Sequence, residues 1–221
     1  MRIVAVVPMK LNNTRLPHKN TKRFSDGRPL CDIILSTLLR VKSLSEVYVY
    51  CSSPEIQNYI PDGVKFLQRS VNLDKDTSTM NDVLTSFQND VDADIYVLAH
   101  ATAPFVSEKT IEDGIQAIVS KGYDSAFSVK KMQDFLWKSG VPLNYDLNCI
   151  PRTQDLEPVY IETCGLYIYK KSVIRNLKRR IGENPYLIEV GEIEALDIDE
   201  MQDFEIADSV YLNLFINRKK S

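Results

Sequence analysis

Short apolar runs rich in β-branched residues alternate with amphipathic segments along the first two-thirds of the chain. The apolar runs predict buried strands at residues 3–7, 47–51, 64–67, 95–99 and 125–129. Apolar positions at helical spacing predict helices at 29–44, at 54–60, after the cap candidates at 77–79, and after Ser107. Strands that alternate with helices predict a mostly parallel α/β sheet, in which ligands bind beyond the carboxyl ends of the strands.

The alternation breaks between residues 130 and 162, where aromatic residues and prolines replace it. This stretch predicts a β-hairpin or arm at about 131–162 that projects from the sheet. Beyond it the pattern predicts a strand, a helix, a strand and a final helix, at 160–169, 170–181, 186–190 and 200–215. Residues 218–221 are predicted to be a frayed tail, and we expect residues 1–221 to form one domain with an appended arm.

Composition narrows the class of protein. The chain has 221 residues, a formal net charge of −3 and 26% charged residues, which gives no bulk attraction to nucleic acid or to an anionic membrane. No apolar run approaches a membrane span, and the N-terminus is typical of a core strand rather than a signal peptide, so we expect a cytoplasmic protein. Four scattered cysteines without a C-x-x-C pair, and only two histidines, argue against a zinc site or a disulfide framework.

The segment at residues 8–20, PMKLNNTRLPHKN, follows the first predicted strand. Lys10, Arg15 and Lys19 could surround a polyphosphate together with backbone amides of the loop. The segment lacks the spacing of a P-loop. Charge alone leaves an exposed basic turn as an equal alternative.

Asp197 and Asp199 lie two residues apart near the end of the chain. In an extended segment both carboxylates point to the same face, and paired carboxylates suit Mg²⁺ brought by a nucleotide. Judged by itself, the pair favours capping of the following helix over metal binding, since acidic N-caps are common.

Three further polar segments follow predicted strands or lie on the arm. Arg69 could hold phosphate or a carboxylate, whereas a lone histidine such as His100 is more often structural than catalytic. On the arm, Arg152 and Gln154 could grip a substrate carboxylate.

Together these segments resemble the acylneuraminate cytidylyltransferase family, with the enzymes that activate ketodeoxyoctonate a close second. The first loop is similar to the family's I-P-A-R-G-G-S-K-G-L-P-x-K-N at Pro8, Leu16, Pro17, Lys19 and Asn20, and to the S-T-R-L-P-G-K of the ketodeoxyoctonate enzymes at 14–17 and Lys19. Further matches are G-x-P-L at 27–30, R-P-x-x-L-x-x-D-T at Arg69, Leu73, Asp76 and Thr77, Q-P-T-S-P at Thr102 and Pro104, and D-I-D-T-x-x-D at 197–199 and Asp203. No single match is specific, but they occur in the family's order along nearly the whole chain.

The resemblance implies a Rossmann-like, glycosyltransferase-A-like nucleotidyltransferase fold with an inserted dimerisation arm. It implies transfer of CMP from CTP to the anomeric hydroxyl of an acidic nonulosonic sugar, with Mg²⁺ as cofactor and a homodimer as the assembly. The implied metal ligands are Asp197 and Asp199, and the implied catalytic residues are Lys10, Arg15, Lys19 and Asp199. The implied nucleotide-binding residues are Pro8, Lys10, Asn13, Arg15, Lys19, Asn20, Arg69 and Thr79. The implied sugar-binding residues are His100, Thr102, Arg152, Gln154 and Tyr167.

The chain also departs from the family's pattern. Lys10 replaces an arginine, Leu11 and Asn12 replace a glycine pair, His100 replaces a glutamine and Val106 replaces an arginine. These changes keep two alternatives open: a nucleotidyltransferase for another sugar or sugar phosphate, and a non-catalytic relative that binds nucleotide or sugar. A plain nucleotide-binding regulatory domain leaves the polar cluster on the arm unexplained.

Overall fold

The computed structural model describes residues 1–216, except for the side chain of Phe215. Within them the strands are β1 (Ile3–Met9), β2 (Glu46–Cys51), β3 (Lys65–Gln68), β4 (Ile95–Ala99), β5 (Ser125–Met132), β6 (Trp137–Lys138), β7 (Val141–Pro142), β8 (Val159–Lys170) and β9 (Pro185–Glu189). The α-helices are α1 (Leu30–Leu38), α2 (Met80–Asp90), α3 (Glu108–Ser120), α4 (Lys171–Leu177) and α5 (Met201–Tyr211).

Seven strands form one sheet in the order β3-β2-β1-β4-β8-β5-β9. All neighbouring pairs are parallel except those of β8, which runs antiparallel to β4 and β5. The mostly parallel sheet predicted from the alternating pattern is confirmed, and so is the Rossmann-like fold implied by the resemblance. Its central strands are apolar throughout because helices cover both faces.

Three hydrophobic clusters hold the layers together. One packs α1 and α3 on one face of the sheet, and a second packs α2 and α4 on the other. The third cluster joins the loop after β1 to α5, with Phe24 stacked on Phe204 at 5.1 Å between ring centroids. It also buries Ile198 completely. The third cluster therefore brings the C-terminal aspartates to the first loop.

Several predicted boundaries differ from the observed ones. The first helix ends at Leu38, and the turns that follow still bury Val41. The helix predicted at 170–181 ends at Leu177, because Lys178 takes a left-handed conformation with φ 54°, usually occupied by glycine. The final predicted helix divides into α5 and a π-helical turn at Leu212–Ile216. The predicted tail at 218–221 lies outside the described residues.

The segment predicted as an arm, at about 131–162, contains the outer part of a β-ribbon and a short hairpin. β5 and β8 pair as a long antiparallel ribbon with a register shift between Phe127 and Val129. Beyond the ribbon, β6 and β7 form a short hairpin. The arm carries a run of exposed apolar residues, among them Trp137 (53% exposed) and Ile150 (63% exposed).

Within residues 1–216, none of the helices has the length and apolar character needed to cross a membrane.

Candidate active site

The parallel strands β1 to β4 end at the same side of the sheet, where the loops that follow them meet. Among the described residues, two buried side-chain atoms lack a hydrogen-bond partner, Asn13 Oδ1 and Arg69 Nε. They line two adjoining cavities of about 230 and 280 Å³, which share Lys10 and Asp76. Larger grooves of about 830 and 740 Å³ lie elsewhere and contain neither atom. Because a buried unpaired polar atom calls for a partner, the two smaller cavities mark the candidate site.

The loop after β1 is held in shape by its own side chains. Buried Asn20 donates from Nδ2 to the Lys10 carbonyl at 2.9 Å and so ties the two ends of the loop together. Leu16 packs into the third cluster, and His18 adopts φ 56° just before a 3₁₀ turn at Lys19–Thr21. These contacts fix Lys19, which is 8% exposed, at the base of the loop.

Two cations of this loop converge on Asp199. Lys19 Nζ lies 3.0 Å from Asp199 Oδ1 and 2.9 Å from the Ile198 carbonyl oxygen. Arg15 Nη1 lies 2.6 Å from Asp199 Oδ2. Partial burial alone would raise the pKa of Asp199, but the hydrogen bonds and charges of Lys19 and Arg15 outweigh it and lower that pKa. Asp199 is therefore ionised and paired on both oxygens.

Asp197 shares a face with Asp199, as the spacing predicts. Ile198 between them points into the third cluster, so the two carboxylates point away from it. A hydrogen bond from the Ile198 amide to the Thr102 carbonyl, at 2.8 Å, fixes this segment against the loop after β4. Asp197 keeps solvent contact, but the protein around it desolvates its carboxylate and raises its pKa; the hydrogen bond from Thr102 opposes this, and the negative charge of Asp199 adds to it.

Helix capping does not explain the aspartate pair. The carboxylate of Asp203 accepts from the amides of Asp199 and Glu200, at 2.9 and 2.8 Å, and so serves the start of α5. Within the described chain, no group of three or more His, Cys, Asp or Glu side chains is placed to hold a metal ion. Two carboxylates on one face still fit Mg²⁺, which commonly takes its remaining ligands from phosphate and water.

A buried ion pair forms the wall opposite the first loop. Arg69 Nη2 donates to Asp74 Oδ1 at 2.8 Å, and the Arg69 side chain is 4% exposed. Lys10 lies 3.7 Å from Asp76 across the same cavity, which Pro8 also lines. Thr79 borders the cavity and forms a capping box with Asp82 at the start of α2. Thr79 is thus confirmed as a helix cap.

His100 lies where the loop after β4 meets β8. Its amide donates to the Gly165 carbonyl at 3.1 Å. The two segments pack so closely that a Cβ on Gly165 would lie only 2.8 Å from Cβ of Ala103. Burial, together with the positive charges of Arg180 and Lys19, lowers the pKa of His100 to about 4. The imidazole is therefore neutral at physiological pH.

Tyr167 and Arg180 form a stacked pair beside this loop. The Arg180 guanidinium carbon lies 3.9 Å from the Tyr167 ring centroid, and Arg180 Nη2 donates to the Tyr167 hydroxyl at 2.9 Å. Tyr167 in turn donates to Glu162. Tyr167 itself is fully buried. The member of this pair that reaches the surface is Arg180. Burial and the hydrogen bond to Glu162 raise the pKa of Tyr167.

The hydrogen bonds of the two arm residues predicted to face the sugar stay within the arm. Arg152 donates from Nε and Nη2 to Asp155, at 2.7 and 3.1 Å, and the Gln154 carbonyl accepts from Gln133. These contacts do not bring Arg152 or Gln154 to the first loop.

Three residues of the site were not predicted from the sequence: Asp74, Glu162 and Arg180. Asp74 lies five residues from Arg69 in an otherwise polar loop, so local charge pairing could have indicated it. Glu162 lies five residues from Tyr167 on the same strand, whereas Arg180 meets both only because the segment after α4 packs against β8, which its sequence position does not indicate.

The sequence model of the cytidylyltransferase family matches residues 4–217. The chain belongs to this family.

Several relatives are similar to this chain at low sequence identity. An N-acylneuraminate cytidylyltransferase A of Danio rerio is 27% identical over 216 residues, which cover 93% of this chain and 50% of the relative. A CMP-N,N'-diacetyllegionaminic acid synthase of Legionella pneumophila is 28% identical over 95% of this chain and 96% of that protein. The chain spans about half the length, or less, of several curated relatives it matches.

The fold is also that of solved nucleotidyltransferases. A CMP:2-keto-3-deoxy-manno-octonic acid synthetase complexed with CTP superposes with a TM-score of 0.70 at 18% identity, covering 95% of this chain and 98% of that one. At this identity the likeness shows the fold alone.

Proposed function

We propose that this member of the cytidylyltransferase family transfers CMP from CTP to the anomeric hydroxyl of an acidic nonulosonic sugar. The observation that carries the proposal is the pair of unpaired buried atoms, Asn13 Oδ1 and Arg69 Nε, in adjoining cavities beside Lys10 and Lys19. A ligand that satisfies both atoms while meeting several cations has donors, acceptors and negative charge, as a nucleoside triphosphate does. The names of the relatives support cytosine as the base and a sugar acid as the acceptor.

The phosphates of CTP are assigned to the first loop. Lys10, Arg15 and Lys19 line its cavity together with Asn13. Arg15 and Lys19 now pair with Asp199, so nucleotide binding requires that these partners be shared or exchanged. Across the cavity, Arg69 offers Nε to the nucleoside, and Asp74 holds its guanidinium in place.

Asp197 and Asp199 are assigned to Mg²⁺. A divalent cation bound there would neutralise charge on the phosphates and relieve the repulsion between the two carboxylates. Lys19, hydrogen-bonded to both the Ile198 carbonyl and Asp199, positions this pair against the phosphate loop.

The reaction is an in-line displacement at the α-phosphorus. The anomeric oxygen forms a bond to phosphorus, the bond from phosphorus to the β-phosphate bridging oxygen breaks, pyrophosphate departs with the electron pair, and one proton is released. The side chains contribute mainly orientation and charge neutralisation.

The experiment is pyrophosphate release with Mg²⁺, testing CTP, GTP, UTP and ATP against nonulosonic acids and sugar phosphates. Release with CTP and an acidic keto-sugar is expected. Release with another nucleotide or a sugar phosphate would assign a different sugar nucleotidyltransferase activity. Nucleotide binding without release for any pair would favour a non-catalytic relative.

We also propose that the arm binds a second copy of the chain. Phe135 and Trp137 cluster on Tyr145, at 4.6 and 6.2 Å between ring centroids, yet Trp137 stays half exposed. An exposed apolar surface on a projecting ribbon is typical of an interface between protomers. A dimer is expected by light scattering, with dissociation at micromolar concentration in Trp137→Lys. A monomeric parent protein would contradict the assignment.

A further inference from the structure

Arg180 makes only part of the contacts that its guanidinium allows. Its hydrogen bonds within the described residues both use Nη2, to the Tyr167 hydroxyl at 2.9 Å and to Glu162 Oε1 at 3.3 Å. The guanidinium carbon lies over the Tyr167 ring, 3.9 Å from its centroid, and the side chain is 24% exposed. The orientation is fixed from one side, while Nε and Nη1 remain available to a ligand.

The surface beside Arg180 continues the nucleotide cleft. A cavity of about 320 Å³ is lined by Arg179, Arg180 and the start of α2. It shares Thr79 and Met80 with the cavity that contains Arg69 Nε. Arg180 and Lys19 also both lie close enough to the imidazole of His100 for their positive charges to lower its pKa.

The backbone near this recess is strained. Cys164 adopts φ 58°, a conformation that a non-glycine residue rarely takes. It lies next to the register shift between β5 and β8, which separates Glu162 from the regular pairing at Tyr167. Bulges and strained residues are frequent beside binding sites, where they aim side chains. Here the irregularity lets Glu162 reach both Tyr167 and Arg180.

We infer that Arg180 is the residue that binds the carboxylate of the acceptor sugar, with Tyr167 and Glu162 as its positioning residues. This inference rests on the proposed function, because it assigns the acceptor end of the same cleft. The ligand class is a sugar carboxylate, which a guanidinium recognises through paired N–H donors. Arg152, the cation predicted for this role from the sequence, already donates hydrogen bonds from two of its nitrogens to Asp155, and its side chain is 73% exposed.

The test is direct binding by titration calorimetry with nucleotide-loaded protein. The ligands are N-acetylneuraminate, 3-deoxy-manno-octulosonate and the neutral methyl ester of each, and the proteins are the wild type and Arg180→Gln. The wild type is expected to bind at least one acid about tenfold more tightly than its ester, the size of one charge-assisted interaction. Arg180→Gln is expected to lose that preference and to bind CTP within about twofold of the wild type.

Three further variants separate recognition from a structural effect. Arg175→Gln is a matched control, since Arg175 lines a different groove with Met1. Tyr167→Phe keeps the stacking ring, removes the phenol, and is expected to lose part of the preference for acid over ester. Retention of the full preference in Arg180→Gln, or its loss in Arg152→Gln instead, would overturn the inference.

The binding readout is independent of turnover. If an acid binds with the expected preference but pyrophosphate is not released, the proposed function fails and the role of Arg180 stands. If neither acid binds to the wild type, the inference is wrong whatever nucleotide the protein uses.

Discussion

The proposed phosphate end and the proposed acceptor end of the cleft are built differently. At the phosphate end, Lys19 is buried, and both oxygens of Asp199 are paired with cations from the first loop. At the acceptor end, Arg180 is partly exposed, and two of its three nitrogens have no partner among the described residues. The third cluster anchors the first end to the core, whereas the second end lies at the base of a projecting ribbon.

This difference separates what the fold fixes from what it leaves to the ligand. Charges that are paired within the chain hold their geometry before substrate arrives, which lowers the cost of organising a phosphate site. A cation with unpaired N–H donors, such as Arg180, can form its remaining hydrogen bonds with the bound ligand. The reaction is therefore assigned to the rigid end and the choice of acceptor to the open end.

Asp199→Asn is expected to have the largest effect, because it removes one proposed metal ligand and the charge partner of two cations. We expect the rate of pyrophosphate release to fall at least about 100-fold, the scale of losing one preorganised charge at a phosphoryl-transfer site. The measurement is initial rate against Mg²⁺ concentration. Asp155→Asn removes a carboxylate of similar exposure from the arm, 47% against 40% for Asp199, and is the matched control. Normal turnover in Asp199→Asn would refute the metal assignment.

Arg69→Lys tests the nucleotide wall with a smaller change. Lysine keeps the positive charge near Asp74 but has no atom equivalent to Nε, which is unpaired in the structure. We expect the KM for CTP to rise about tenfold, the equivalent of roughly 1.4 kcal/mol for one hydrogen bond. The KM for the acceptor should stay within about twofold. A rise in the acceptor KM alone would place Arg69 at the wrong end of the cleft.

His100→Gln is expected to change the pH dependence of stability more than stability at neutral pH. The folded-state pKa of His100 is about 4, against an ordinary value of 6.5. Between these values the unfolded chain binds the proton and the folded chain does not. Above pH 6.5 the histidine is neutral in both states, and its protonation takes nothing from the free energy of unfolding. As the pH falls from 6.5 towards 4, protonation of the unfolded chain lowers that free energy. The loss amounts to at most about 3 kcal/mol.

The measurement for His100→Gln is the free energy of unfolding in urea at pH 7.5 and at pH 4.5. Carboxylates titrate in both proteins, so the difference between variant and wild type isolates the imidazole. The wild type should lose more stability than the variant on acidification. An equal loss in both would show that His100 is not held neutral by its surroundings.

Local patterns in the sequence were sufficient for the sheet and for much of the phosphate end. The apolar runs predicted β1 to β4 to within two residues at each end, and β5 to within three. Thr79 and Ser107, both predicted as caps, begin α2 and α3. The alternation of Asp197, Ile198 and Asp199 predicted that the two carboxylates share a face. These features depend on backbone periodicity and on contacts within a few residues, which a single sequence contains.

By itself, then, the sequence determined the alternation of strands and helices, the shared face of the aspartates, and the basic loop that they meet. Only the tertiary structure decided which cation pairs with which acid. Lys19 reaches Asp199 across 180 positions, and Arg180 meets Tyr167 because an antiparallel strand and a short helix bring them together. The physical reason is that such contacts arise from the register of the sheet and the packing of the third cluster, which depend on residues far apart in the chain.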